Sequence, residues 1–131
     1  MFGPPGFAYV YFIYGVYYCL NVTSEVEGIG GAVLVRAAEP LAGLDVMRAR
    51  RAGARELCTG PGRLAQAFGL GREHDGLDLC CGGTLRLEAP YEPAGDIASS
   101  TRIGITKETD RTLRFFERGS AHLSGPRSLN R

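Results

Sequence analysis

The sequence predicts a single α+β domain with a curved, mostly antiparallel sheet, a protruding aromatic β-hairpin and two helices. The length of 131 residues suits one domain. Short runs of aromatic and β-branched residues recur along the chain, without the regular strand–helix alternation that is typical of parallel sheets. Apolar residues have helical spacing in only two segments, so we expect strands to dominate the fold.

Two aromatic and β-branched runs, residues 7–13 and 16–22, predict the first two strands. Tyr14-Gly15 separates them, and a short connection that contains glycine is typical of a hairpin. Residues 32–37 predict a third strand, which ends before Pro40.

The two predicted helices follow the third strand. Apolar spacing predicts the first over residues 41–51. The second follows Thr59, whose hydroxyl is expected to cap it, with Pro61 in its first turn. Further strands are predicted over residues 84–88, 100–106 and 112–117. The polar tail, residues 120–131, is expected to fray.

Composition excludes several classes of protein. The longest apolar run, residues 7–14, is too short to span a membrane, and no secretory signal precedes it. The four cysteines form no CxxC pair and lack metal-ligand spacing to the two histidines, so we expect free thiols, no metal and no cofactor. Nearly all of the 15 basic residues are arginine, which suits a nucleic-acid surface but is equally explained by a GC-rich genome.

Alternation along the first strand places its aromatic residues on two faces. Val10 and Phe12 are expected to face the core, so Tyr9 and Tyr11 would line a second surface. Tyr14 would stand at the exposed hairpin tip, where a large side chain has no packing reason to be. A wedge at such a tip suits a protein that extrudes a nucleotide and fills the gap left in the duplex. A tyrosine-rich core strand is the alternative explanation.

Four stretches of sequence extend this interpretation. They are residues 9–21 (YVYFIYGVYYCLN), 32–44 (AVLVRAAEPLAGL), 56–64 (ELCTGPGRL), and 102–105 with 113–116 (RIGI and LRFF). Together, in this order and spacing, they resemble the alkyladenine (3-methyladenine) DNA glycosylase family. The resemblance implies a monomeric, metal-free repair hydrolase that flips alkylated or deaminated purines out of double-stranded DNA and hydrolyses their N-glycosidic bond.

The resemblance also implies roles for the hairpin residues. Tyr14 matches the side chain that enters the minor groove, and Tyr11 matches a wall on which the flipped base stacks. Tyr9 and Tyr17 match neighbouring DNA-binding positions that could also be merely structural. Asn21 matches an asparagine at the pocket floor, which helps to reject guanine.

Further roles follow from the other matched stretches. Arg36 matches an arginine that orients the attacking water, with a salt bridge to Glu39 as the alternative, and the backbone carbonyl of Ile103 matches a second ligand of that water. Phosphate contacts are implied for Thr59 and Gly60 at a helix start, with Arg63 and Arg102 as additional contacts or as ordinary solvated surface. The implied location is the cytoplasm, near the nucleoid in a bacterium, or a eukaryotic nucleus, without secretion or membrane attachment.

Hydrolysis by attack of water requires a general base. In the family that carboxylate lies upstream of the hairpin, and the match here begins with the hairpin itself. We therefore expect an N-terminally incomplete member in which the general base is absent from the chain and activity is low. The alternative function is a non-catalytic DNA-binding remnant of such an enzyme.

Overall fold

The computed structural model describes residues 1–131 and confirms the α+β class, with two antiparallel sheets and two α-helices. The elements in chain order are β1 (Ala8–Ile13), β2 (Tyr17–Thr23), β3 (Ala32–Leu34), α1 (Leu44–Arg50), α2 (Pro61–Phe68), β4 (Ile97–Ser100) and β5 (Arg114–Glu117). Two short 3₁₀ turns cover Arg72–His74 and Arg127–Leu129. No helix has the length and apolar character that a membrane span requires.

The first sheet has the order β1-β2-β3 and carries the aromatic hairpin. In its register Tyr9 lies opposite Asn21, and Tyr11 lies opposite Cys19. Directly opposed residues share a face of an antiparallel sheet, so these four side chains form one surface. Leu34 of β3 continues that surface because it pairs with Asn21.

The opposite face of the first sheet packs on α2 and builds the core. Ala8, Val10 and Leu20 join a buried cluster with Leu64 and Ala65 of the helix. The core position predicted for Val10 is therefore confirmed. Phe12 is 47% exposed and instead packs against the Tyr18 ring, with the ring centroids 4.9 Å apart. The core position expected for Phe12 is therefore wrong, because this residue lies outside the buried cluster.

Both helices start at glycine. α1 begins after Gly43, which has a left-handed conformation, and is shorter than its predicted span. α2 has Pro61 in its first turn as predicted, but its cap residue is Gly60, and Thr59 makes no capping hydrogen bond. The capping prediction for Thr59 is wrong because its hydroxyl donates to the Glu56 carboxylate at 3.2 Å, and an ionised carboxylate is a strong acceptor.

Two of the later strands differ from their predictions. Residues 84–88 are not a strand, and Leu85 and Leu87 instead line an apolar cleft beside α2, which accounts for their alternation. The strand predicted over 100–106 is found earlier, at Ile97–Ser100, because the chain turns at Gly104, whose φ is 73°. The predicted strand at residues 112–117 is found as Arg114–Glu117.

The C-terminal tail lies against the second sheet. Ser124 is buried, and the 3₁₀ turn at Arg127–Leu129 follows it. Fraying of residues 120–131 in solution stays a prediction.

Candidate functional site

Tyr14 occupies the tip of the β1–β2 hairpin and is 79% exposed. Its φ is 56° and that of Gly15 is 64°, while Val16 N–H donates to the Ile13 carbonyl at 3.2 Å. Positive φ at both central residues is the pattern of a type I′ hairpin turn. A left-handed conformation is unfavourable for a bulky side chain, so neither packing nor backbone preference explains a tyrosine here.

The tyrosine-lined face begins just behind that tip. The rings of Tyr9 and Tyr11 lie side by side, with centroids 5.4 Å apart and planes tilted by 39°. Asn21 is buried between the strands, and its side-chain nitrogen donates to the Tyr9 carbonyl at 3.2 Å. This bond fixes the amide group on the same face as the Tyr11 ring. The sheet therefore brings three predicted site residues together.

Cys19 is a member of this face that sequence reasoning missed, although its place opposite Tyr11 follows from the hairpin register. Burial raises the pKa of the Tyr11 phenol, and the nearby Cys19 adds to the rise, while a hydrogen bond with Asn21 opposes it. Burial likewise raises the pKa of the Cys19 thiol, against a hydrogen bond from Tyr11 and the charge of Arg36. Both groups are thus neutral near pH 7.

Arg36 follows β3 on the same side of the sheet as Cys19. Its Nε donates to the Ser124 hydroxyl at 3.2 Å, and neither terminal nitrogen has a hydrogen-bond partner in the chain. The alternative salt bridge to Glu39 is not formed, and the Glu39 carboxylate instead lies 3.8 Å from the His122 ring. Burial lowers the pKa of Arg36, and no carboxylate opposes that effect. The guanidinium therefore retains free donors beside the tyrosine face.

Arg114 of β5 is a buried arginine near the half-buried Arg36, and sequence reasoning did not single it out. Its pKa is lowered by burial and then by Arg36. Its guanidinium lies over the Phe116 ring at 4.7 Å and donates to oxygens of Ser100, Ser124, Leu129 and Asn130 at 2.8, 2.8, 3.1 and 2.5 Å. Every one of these partners is neutral, so the two arginines make this region strongly positive.

Ile103 lies next to the same tail. Its side chain packs so closely over Gly125 that a Cβ at position 125 would collide with it. Its backbone carbonyl accepts no hydrogen bond from the chain. Because the tail residues Ser124 and Gly125 contact Arg36 and Ile103 respectively, the two predicted water ligands are connected through one short segment.

The remaining predicted contacts lie apart from the tyrosine face. Arg63 pairs with Glu56 at 2.6 Å and donates to the Thr59 hydroxyl at 3.2 Å, which gathers the start of α2 into one polar cluster with Gly60. Arg102 is held in its own loop by Glu108 at 3.6 Å.

Tyr17 links this cluster to the hairpin. Its ring covers Gly62 in the first turn of α2. No group of three or more potential metal ligands occurs in the structure.

Comparison with known proteins identifies the family of the chain. Residues 1–121 match the family model described as methylpurine-DNA glycosylase (MPG). The chain belongs to the methylpurine-DNA glycosylase family. It is 56% identical over 126 residues to a protein of Mesorhizobium japonicum, and 48% identical over 131 residues to one of Paraburkholderia phytofirmans. Both relatives carry the name "Putative 3-methyladenine DNA glycosylase".

These alignments cover 95% and 98% of the chain but only 61% and 62% of the two relatives. A Rubrobacter xylanophilus protein of the same name is 43% identical, with 68% of its length covered. The chain thus spans about three fifths of the length of the first two relatives.

Proposed function

We propose that residues 1–131 recognise a damaged purine in double-stranded DNA by inserting Tyr14 into the duplex and receiving the flipped nucleotide on the Tyr11 face. The observation that carries the proposal is the exposed Tyr14 ring, held in an unfavourable left-handed turn. Strained backbone conformations of this kind cluster at functional sites, where the strain is part of the mechanism. The ring would stack on the neighbouring bases and so fill the space that the extruded base vacates.

Tyr11 is the proposed stacking wall for that base. An alkylated purine that carries a positive charge is electron-poor, and a neutral aromatic face attracts it. The raised pKa of the phenol keeps Tyr11 neutral and able to donate a hydrogen bond well above pH 7. The adjacent Tyr9 ring would extend the same surface.

Asn21 is the proposed discriminator at the pocket floor. Its amide is buried, and its nitrogen is already committed to the Tyr9 carbonyl at 3.2 Å. The second N–H of that nitrogen is still a donor, and the exocyclic amine of guanine is a donor too, so the two groups could not pair where they meet. An unpaired buried polar group costs about 1–3 kcal/mol, enough to disfavour undamaged guanine.

Hydrolysis would place water between the free nitrogens of Arg36 and the Ile103 carbonyl. As the water oxygen bonds to the anomeric carbon, the N-glycosidic bond breaks, the purine leaves with its electron pair, and a general base takes the proton of the water. No carboxylate within residues 1–131 contacts Arg36, Tyr11 or Asn21. We propose that the general base is not among these residues, so that excision by residues 1–131 alone is slow.

That same observation favours a second candidate, a DNA-binding module that captures the lesion without cutting it. A duplex with one hypoxanthine or methyladenine separates the two. Binding is measured by gel shift, and excision is measured by strand scission at the resulting abasic site. We expect lesion-selective binding with little excision. Excision at the rate of a longer relative would contradict the proposal that the general base is not among residues 1–131. Equal affinity for damaged and undamaged duplex would contradict the proposed function.

The proposal includes contacts along the DNA backbone. Thr59, Gly60 and Arg63 at the start of α2 and Arg102 in its loop are proposed to contact phosphates, with Tyr17 supporting the hairpin. The protein would act as a monomer on intracellular DNA, without a cofactor and away from membranes.

A further inference from the structure

A polar cleft of about 580 Å³ lies beside the start of α2 and shares no lining residue with the tyrosine face. Its lining comprises Arg51, Ala54, Arg55, Glu56, Arg63 and Arg127. Four arginines and one glutamate leave a net charge of +3 in this space. Arg127 comes from the C-terminal 3₁₀ turn, so the cleft joins segments that are distant in sequence.

The charges in the cleft are only partly neutralised within the chain. One oxygen of Glu56 accepts hydrogen bonds from Arg63 at 2.6 Å and from Thr59 at 3.2 Å, so the charge of this carboxylate is paired with Arg63. Arg51 donates to neutral acceptors and keeps a buried Nε with no partner. Arg55 and Arg127 make no ion pair or side-chain hydrogen bond. At least three guanidinium groups therefore lack an anionic partner.

The cleft adjoins the end of the molecule that carries the hairpin tip. Arg63 lines the cleft, and the neighbouring Gly62 lies directly under the Tyr17 ring. Tyr17 begins β2, three positions after Tyr14. The start of α2 therefore lies beside the hairpin that carries Tyr14.

We propose that this cleft is a binding site for backbone phosphates of the DNA strand, with Arg55 and Arg127 as its free ligands. The inference rests on the proposed function, which it deepens by extending the DNA interface to residues that the family resemblance does not assign. Guanidinium groups bind phosphate oxygens through two parallel hydrogen bonds. Arg63 is held by the Glu56 carboxylate and Arg51 by the Glu56 backbone carbonyl, so both would contribute positive charge from fixed positions.

The lining favours a phosphodiester chain over a free nucleotide. Ala54 is the only apolar residue, and no aromatic side chain is present for a base to stack on. Recognition would therefore depend on charge and not on base identity. Such contacts make affinity dependent on salt, with a slope of about 0.9 per phosphate neutralised.

The test is a fluorescence-anisotropy titration of an undamaged duplex over a range of salt concentrations. The double variant Arg55→Gln/Arg127→Gln is compared with Arg86→Gln/Arg118→Gln, which removes the same charge from exposed residues paired with Glu88 and Asp96. We expect the salt slope to fall by about 2 in the cleft variant and much less in the control. Arg55→Lys/Arg127→Lys should restore most of the slope, and circular dichroism verifies folding of each variant.

Two results would overturn the cleft assignment. One is an unchanged slope in a folded cleft variant, and the other is an equal fall in both variants, which would indicate net charge alone. Calorimetry with inorganic phosphate gives a further arm, because saturable phosphate binding without any change in DNA affinity would make this a small-anion site instead. Lesion preference tests the proposed function separately, since it is set by Tyr11 and Tyr14 and survives if only the cleft assignment fails.

Discussion

The ring of Tyr17 lies so close to Gly62 that a Cβ built on the glycine would come within 2.7 Å of the ring. This contact joins the hairpin to the start of α2. Only glycine fits there, and the ring prevents the hairpin from moving towards the helix. The orientation of the Tyr14 tip relative to α2 therefore depends on position 62 having no side chain.

Gly62→Ala should displace the Tyr17 ring and destabilise the fold by about 1–3 kcal/mol, the range for an overpacked contact. The measurement is the free energy of unfolding in urea. Gly83→Ala is the matched control, because a Cβ at position 83 meets nothing within 4 Å and its φ is not positive. Equal stability of the two variants would show that Tyr17 moves aside freely.

Tyr14→Asn should stabilise the protein by up to about 1 kcal/mol while weakening its binding to lesion DNA. Asparagine tolerates the left-handed conformation and favours a primed turn before Gly15. Loss of base stacking should reduce affinity by about 1–3 kcal/mol. Thermal unfolding and anisotropy measure the two effects. Tyr91→Asn is the control, since Tyr91 is 91% exposed and lies outside the hairpin; unchanged affinity of the Tyr14 variant would contradict its proposed insertion.

Arg114→Met should destabilise the protein by roughly 2–4 kcal/mol, because it leaves several oxygen acceptors without their donor. Residues 120–131 should then be cleaved by a low concentration of protease. Arg86→Met, at a half-exposed position, should change neither property. Unchanged stability and protease sensitivity in Arg114→Met would indicate that residues 120–131 already fray, as their composition predicts.

Stability should decline as pH rises through the alkaline range. The pKa values of Tyr11, Cys19 and Cys58 are all raised, chiefly by burial. As pH rises, these groups lose their protons in the unfolded chain before they do so in the folded one, which favours unfolding. Their contribution to the free energy of unfolding is therefore complete below the unfolded thiol and phenol pKa values, about 8.5 and 10, and is lost as pH passes the folded values. The double variant Cys19→Ala/Cys58→Ala should show a smaller fall in the free energy of unfolding as pH rises past the thiol pKa. An unchanged profile in urea unfolding would contradict burial as the cause.

The hairpin was predictable because its signals are local. Tyr14-Gly15 between two β-branched runs fixes the turn, and the alternation of Tyr9 and Tyr11 fixes their face. The hydrogen bonds of Arg114 were not predictable, because their acceptors come from the tail and from β4. Nothing near Arg114 in the sequence marks this residue as buried. The strand predicted over 84–88 was wrong because two-residue alternation also arises where leucines fill a cleft. The site roles carried over from the family stay predictions.

The most direct measurement of the central claim uses a duplex that contains 1,N6-ethenoadenine, a fluorescent alkylated adenine. If Tyr14 enters the stack and Tyr11 receives the flipped base, titration with the protein should change the fluorescence of the lesion. Tyr14→Asn and Tyr11→Leu should each abolish the change, whereas Tyr91→Asn should keep it. Binding of the duplex with unaltered lesion fluorescence, or a full change in the Tyr14 variant, would contradict the account.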